Sequence, residues 1–148
     1  MNPVRRLLLQ GAGVLAATLL KPLAALAAWN KDAFGAKTAA DALKGIGFAD
    51  AAPSADVVME APEIAENGAV VPIEITSRVP GTRSIAVVID KNPFPLVAKF
   101  DFLEGAVPFV KVNVKMGETS DVRAIAEAGG KHFSASKEIK VTIGGCGG

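Results

Sequence analysis

Residues 95–115 read PLVAKFDFLEGAVPFVKVNVK. Ala98, Phe100 and Phe102 recur at every second position, and so do Val110, Val112 and Val114, with Lys111 and Lys115 on the opposite side. A period of two belongs to extended strands, whose successive side chains point to opposite faces, so this stretch holds two half-buried strands joined by the turn EGAV. Outward from it the same texture repeats. DVVME (56–60), AVVPIEIT (69–76), RSIAVVID (83–90), VRAIAEA (122–128) and HFSASKEIKVTI (132–143) are further β runs. APEIAENG, SRVPGT, KNPFP and MGETSD separate them and supply the Gly, Pro, Asn and Asp of turns, and Gly129-Gly130 forms a hairpin turn before the last strand. About seven strands at this spacing predict a mainly β fold, an antiparallel β-sandwich spanning 56–143.

Ahead of the strands the period changes. NKDAFGAKTAADALKG (30–45) places Phe34, Ala39 and Leu43 near helical spacing, and Gly45 and Gly47 are natural stops. One short helix is expected over 31–44, within an N-terminal helical segment of residues 28–55.

The first 27 residues do not belong to the fold. Arg5-Arg6 precedes an acid-free apolar run from Leu7 to Leu20, then Lys21 and Pro22, then the small-x-small triplet Ala25-Leu26-Ala27. That pattern is an export signal, and the run is too short and too rich in Gly and Ala for a membrane span. The paired arginines and the late lysine favour the twin-arginine route, which exports folded proteins. Removal of residues 1–27 takes away Arg5, Arg6 and Lys21 and no acid, lowering the formal net charge of +1 by three to −2. A slightly acidic body is a poor nucleic-acid binder, and a cleaved leader leaves no membrane anchor.

Chemistry is scarce in the body. A cysteine nucleophile needs a base beside it, and the chain has one Cys and one His, Cys146 and His132. If 132–143 is one strand, about 36 Å separates its two ends, so His132 is expected to be an ordinary surface or turn residue. One Cys and one His without clustered partners cannot fill a metal's coordination sphere, and no glycine-rich turn leads from a strand into a helix to cradle phosphate. Glu63 and Glu66 have no acid/base partner in the pattern and read as a solvated loop. No catalytic residue, metal or cofactor is expected.

The C-terminal GGCGG is different. Gly144, Gly145, Gly147 and Gly148 surround Cys146 with backbone that has no side chains, a thin and flexible arm able to enter a narrow channel with one reactive atom. A tail cannot hold catalytic geometry, so its reactivity must come from whatever receives it. A covalent carrier is the reading this favours. A thiol transferase using Cys146 with His132, a subunit linked by a permanent intermolecular disulfide, and a frayed end with an incidental thiol are the alternatives.

KVTIGGCGG resembles the C-terminus of the SoxY family, the sulfur-carrier subunits of the periplasmic thiosulfate-oxidising system. The likeness continues through APEIAENGAVVPIEI, KNPFPLVAKF and VKMGETSDVRAIAEAGGKHFSASKEIKVTI, covering most of 56–148, although VRRLLLQ is a loose version of the twin-arginine consensus. The resemblance implies an immunoglobulin-like sandwich and sulfur intermediates attached to Cys146. It also implies a heterodimer with a SoxZ-like subunit, a c-type cytochrome complex that conjugates thiosulfate, a hydrolase that releases sulfate, and a sulfane dehydrogenase, all in the periplasm.

Overall fold

The computed structural model describes residues 29–142. The leader, with Arg5 and Arg6, and the arm residues Gly144, Gly145, Cys146, Gly147 and Gly148 lie outside the described residues, as does Ile143. Seven strands stand where the alternation predicts them: β2 (Val57–Glu60), β4 (Val71–Ser77), β5 (Thr82–Ile89), β6 (Leu96–Asp101), β7 (Phe109–Val114), β8 (Ser120–Ala128) and β9 (Lys131–Val141). Two more, β1 (Ala52–Pro53) and β3 (Ile64–Ala65), have only two residues each. The strands form a sheet of order β1-β9-β8-β5-β6, with β3 also on β9, and a smaller sheet of order β2-β4-β7.

Alternation decides how the sheets meet. Ile73 and Ile75 of β4 and Val110 and Val114 of β7 point from the small sheet into a core that receives Ile85, Val87 and Ile89 of β5 and Val122, Ala124 and Ala126 of β8 from the large one. Ala98, Phe100, Phe102 and Val112, the residues that announce the period in the sequence, pack on this core from the β6 and β7 edges. Burying a side chain of Ile or Val size stabilises by roughly 1.5–3 kcal/mol, so this interface holds the expected immunoglobulin-like sandwich together.

RSIAVVID is apolar at consecutive positions because β5 is covered on both faces. Ala86 and Val88 point away from the sandwich core and join Ala33, Leu43, Phe48, Leu96 and Ile125 in a second, smaller one. The helical segment supplies that cover. It is two helices rather than the single one expected: α1 (Lys31–Gly35) and α2 (Ala39–Gly45). Ala36 is extended at the end of α1, and Thr38 (φ −124°, ψ 148°) caps α2 by accepting from the Asp41 backbone N–H while its hydroxyl donates to the Asp41 carboxylate. That reciprocal cap starts a new helix where a continuous one would leave Thr38 competing with the backbone. The two helices approach so closely that a Cβ on Gly45 would lie 2.9 Å from the Ala33 Cβ, which makes Gly45 a packing residue as well as a stop.

β8 and β9 form the long hairpin expected at Gly129-Gly130, whose φ values of 58° and 76° are left-handed and give the tight two-residue turn its twist. The domain is not purely antiparallel. β1 pairs with β9 in parallel at Phe133 and Ser134, and β3 does the same at Lys140 and Val141. Each end of β9 is therefore gripped on its outer edge by a short parallel strand.

Candidate functional site

The arm that carries Cys146 continues from β9, and the structure fixes its root. Lys140 N–H donates to the Glu63 carbonyl (2.9 Å), Thr142 N–H to the Ala65 carbonyl (3.1 Å), and Val141 N–H to the Thr119 hydroxyl (2.9 Å). The Thr142 hydroxyl reaches the Glu66 carbonyl at 3.4 Å. Ala65 drops into the sandwich core while Ile64 stays outside, so β3 is pinned from within. The segment APEIAENG, expected as a solvated loop, is a strap that holds the end of β9. Glu63 and Glu66 serve through their backbone carbonyls, and both residues are exposed.

Two other loops share this pole with the strap. Met116 N–H donates to the Gly68 carbonyl at 2.7 Å. The Asn92 side chain donates to the Lys115 carbonyl (2.7 Å) and accepts from Gly117 N–H (3.3 Å). Arg123 grips Asp90 Oδ1 through Nε (2.9 Å) and Nη2 (2.7 Å), which ties the β5–β6 loop to β8. The root of the arm thus sits in a cross-linked platform of loops 65–70, 90–95 and 115–120. Cys146 lies four residues beyond Thr142, a span of at most about 14 Å.

His132 stands at the other end of β9 and is not the ordinary surface or turn residue expected. Its side chain is only 10% exposed; Nδ1 donates to Asp50 Oδ1 at 2.7 Å, and the ring stacks on Phe48 with centroids 4.5 Å apart. The hydrogen bond from His132, supported by one from Asp50's own backbone and by the imidazole charge, holds Asp50 below the ordinary carboxylate range in spite of slight desolvation. His132 thereby fastens the chain after α2 to β9. A partner 82 positions away in sequence leaves no local signal, so neither Asp50 nor Phe48 was readable as its neighbour.

β9 is unbroken from Lys131 to Val141, so His132 and Thr142 are about 33 Å apart along an extended strand. Four residues of arm span less than half of that. Within one chain Cys146 and His132 do not meet.

The described residues offer little else for chemistry. No group of three His, Cys, Asp or Glu among them is arranged to hold a metal ion. A cleft of about 440 Å³ opens at the pole far from the arm, between the β4–β5 turn (Val79–Thr82) and the β6–β7 loop, lined by Arg83, Phe102, Leu103 and Glu104 among others. One carboxylate and one guanidinium do not make an acid/base pair. The described residues present a two-sheet body and a braced end of β9, and they stop four residues short of Cys146 in the sequence.

The family model for "sulfur oxidation protein SoxY" matches residues 44–146, which include the strap, the platform loops, β9 and Cys146. Among solved structures, the sulfur carrier protein SoxY from Chlorobium limicola f thiosulfatophilum is 36% identical, with a TM-score of 0.63 over 70% of this chain and 94% of that one. A superoxide reductase (neelaredoxin) from Ignicoccus hospitalis is 21% identical, with a TM-score of 0.51 over 58% of this chain and 80% of that one, a likeness of fold alone. No curated relative matches at a significant level. A family match that covers most of the described body and reaches through the cysteine, together with a solved relative of the same architecture, places this chain in the SoxY family of sulfur-oxidation proteins.

Proposed function

We propose that the chain is a covalent carrier of sulfur intermediates in periplasmic thiosulfate oxidation, with Cys146 as the attachment point and Gly144, Gly145, Gly147 and Gly148 as the slim arm that presents it. The observation that carries this reading is the distance between the root of the arm at Thr142 and the chain's one histidine at the far end of β9. The thiol has no histidine base within reach in its own chain, so activation falls to the proteins it visits. A protein acted on by partner enzymes, with no turnover of its own, fits that arrangement.

In the first step the Cys146 thiol and the sulfane sulfur of thiosulfate join in a new S–S bond, with loss of two electrons and the thiol proton. A c-type cytochrome complex accepts the electrons. A hydrolase then adds water across the bond between the bridging sulfur and the sulfonate, releasing hydrogen sulfate and leaving a persulfide on Cys146. A sulfane dehydrogenase is the partner for the remaining outer sulfur. A SoxZ-like subunit completes the carrier as a heterodimer, and the leader with Arg5 and Arg6 exports the folded pair to the periplasm.

Intact mass after incubation with thiosulfate and a purified thiosulfate-conjugating cytochrome complex tests the reading. One added thiosulfonate group is expected on the natural chain and none on Cys146→Ser, together with loss of thiosulfate-dependent cytochrome reduction. An active Cys146→Ser variant overturns it.

A further inference from the structure

Six of the seven large apolar side chains exposed on the described residues stand at the two poles of the sandwich. Leu103, Val107 and Phe109 lie on the β6–β7 side of the pole far from the arm; Ile64, Val70 and Phe94 lie around the arm root, 57%, 54% and 49% exposed. The second group is tied to the root by backbone and side-chain contacts. Ile64 pairs with Lys140, two residues before Thr142. Val70 closes a turn onto Asn67, the residue after the Glu66 whose carbonyl receives Thr142. Phe94 stands on the loop that Asn92 locks to Lys115 and Gly117, and Lys37 caps its ring at 3.6 Å.

The length of chain beyond the described residues says what must come to this platform. Cys146 lies at most about 14 Å from Thr142. An enzyme that takes the thiol into an interior site has to bring the mouth of that site within this distance, and its outer surface then covers the loops around the root. Exposed charges of both signs stand there, Glu63, Glu66, Glu118 and Asp121 among Lys37, Lys91, Lys115 and Lys140. Electrostatic attraction therefore has no dominant sign, and the three apolar side chains are the groups on the platform that gain most from being covered.

We infer that Ile64, Val70 and Phe94 form the docking collar for the enzymes that receive the arm, and that those enzymes present an apolar rim around a narrow channel mouth. This inference rests on the carrier reading and adds where the partner touches the body. The collar supplies the contact energy that a bare glycine arm lacks, and three half-exposed side chains keep it modest, as exchange between successive partners requires.

The test measures thiosulfate-dependent reduction of a purified thiosulfate-conjugating c-type cytochrome complex, with this chain paired with its SoxZ-like subunit as the varied substrate; loss of that pairing in a collar variant overturns the collar. Ile64→Ser/Val70→Ser should raise KM for the carrier about tenfold, a loss typical of a small cluster of interface contacts, and leave kcat nearly unchanged. Val70→Ser alone, in a turn outside the β3–β9 pairing, should give a smaller rise in the same direction and protects the test against misfolding of the double variant. The rate at which iodoacetamide alkylates Cys146 should be the same in all of them, since a small reagent needs no docking. Leu103→Ser/Val107→Ser at the opposite pole should leave KM unchanged. Natural KM in the collar variants, or an equal rise in the Leu103→Ser/Val107→Ser control, overturns the collar while leaving the carrier reading intact. Full activity of Cys146→Ser overturns the carrier reading itself.

Discussion

The two ends of β9 are built alike and used differently. Each is gripped by a two-residue parallel strand, β1 at Phe133 and Ser134 and β3 at Lys140 and Val141. At the first end the added contacts turn back onto the chain's own body: His132 lies against Phe48 and bonds Asp50, fastening the helical segment. At the second end the brace reaches Thr142, and the chain runs on through Ile143 into glycine and one cysteine. The contrast teaches that the same local device, a short strand clipped to a long one, closes a domain in one place and defines a point of departure in the other.

The largest test of that division is chemical. Cys146→Ser should remove carrier activity entirely and leave the thermal midpoint where it is, because the two cores and the braces of β9 are built from other residues. Loss of both would show that the two ends are not separable. The reverse experiment is Ile139→Ala. Ile139 is fully buried on β9 between the two clips, so truncation should cost about 2–5 kcal/mol in denaturant unfolding while Cys146 still alkylates at its natural rate below the transition.

A smaller effect is expected at the fastened end. His132→Ala should lower stability by about 1–2 kcal/mol through the lost ring stacking and hydrogen bond, with sulfur transfer unchanged. A transfer defect there would revive a catalytic role for His132. On the arm, Gly145→Val should slow transfer to a partner several-fold without moving the thermal midpoint, since it widens a tether that has to thread a channel; equal rates would remove arm width from the account.

The smallest expected effect is in pH. Asp50 has a folded-state value below its ordinary 3.8, so its contribution is complete above that value and is lost as pH falls through the lowered one. The thermal midpoint of the natural chain should therefore drop more between about pH 5 and pH 2 than that of Asp50→Asn. The difference will be slight, because Asp50 is exposed and its bond is screened by solvent.

Much of this molecule was legible because its long strands obey a simple rule. The alternation in 95–115, the apolar block of β5 and the Gly129-Gly130 turn each reappear where their local pattern put them. The parts that were not legible depend on distant chain. β1 and β3 are too short to show any period and exist because the outer edge of β9 is free to take a partner. The break between α1 and α2 had a readable sign, the Thr38 to Asp41 spacing of a capping motif, but the apolar spacing of Phe34, Ala39 and Leu43 runs across it and hides it. At the site, the cysteine and its glycines are plain to read, whereas the brace at the root is made of backbone carbonyls, which no side-chain pattern reports.

The orientation of that brace has a mechanical consequence. On the proposed reading, a pull on a retained arm enters the body at Thr142, and the part of it directed along β9 is perpendicular to the strand's hydrogen bonds with β8, β1 and β3. Loaded lengthwise, a ladder shares the pull across many bonds at once, while one peeled from its side would break rung by rung. On the proposed reading, a carrier so built resists unravelling from the end it offers.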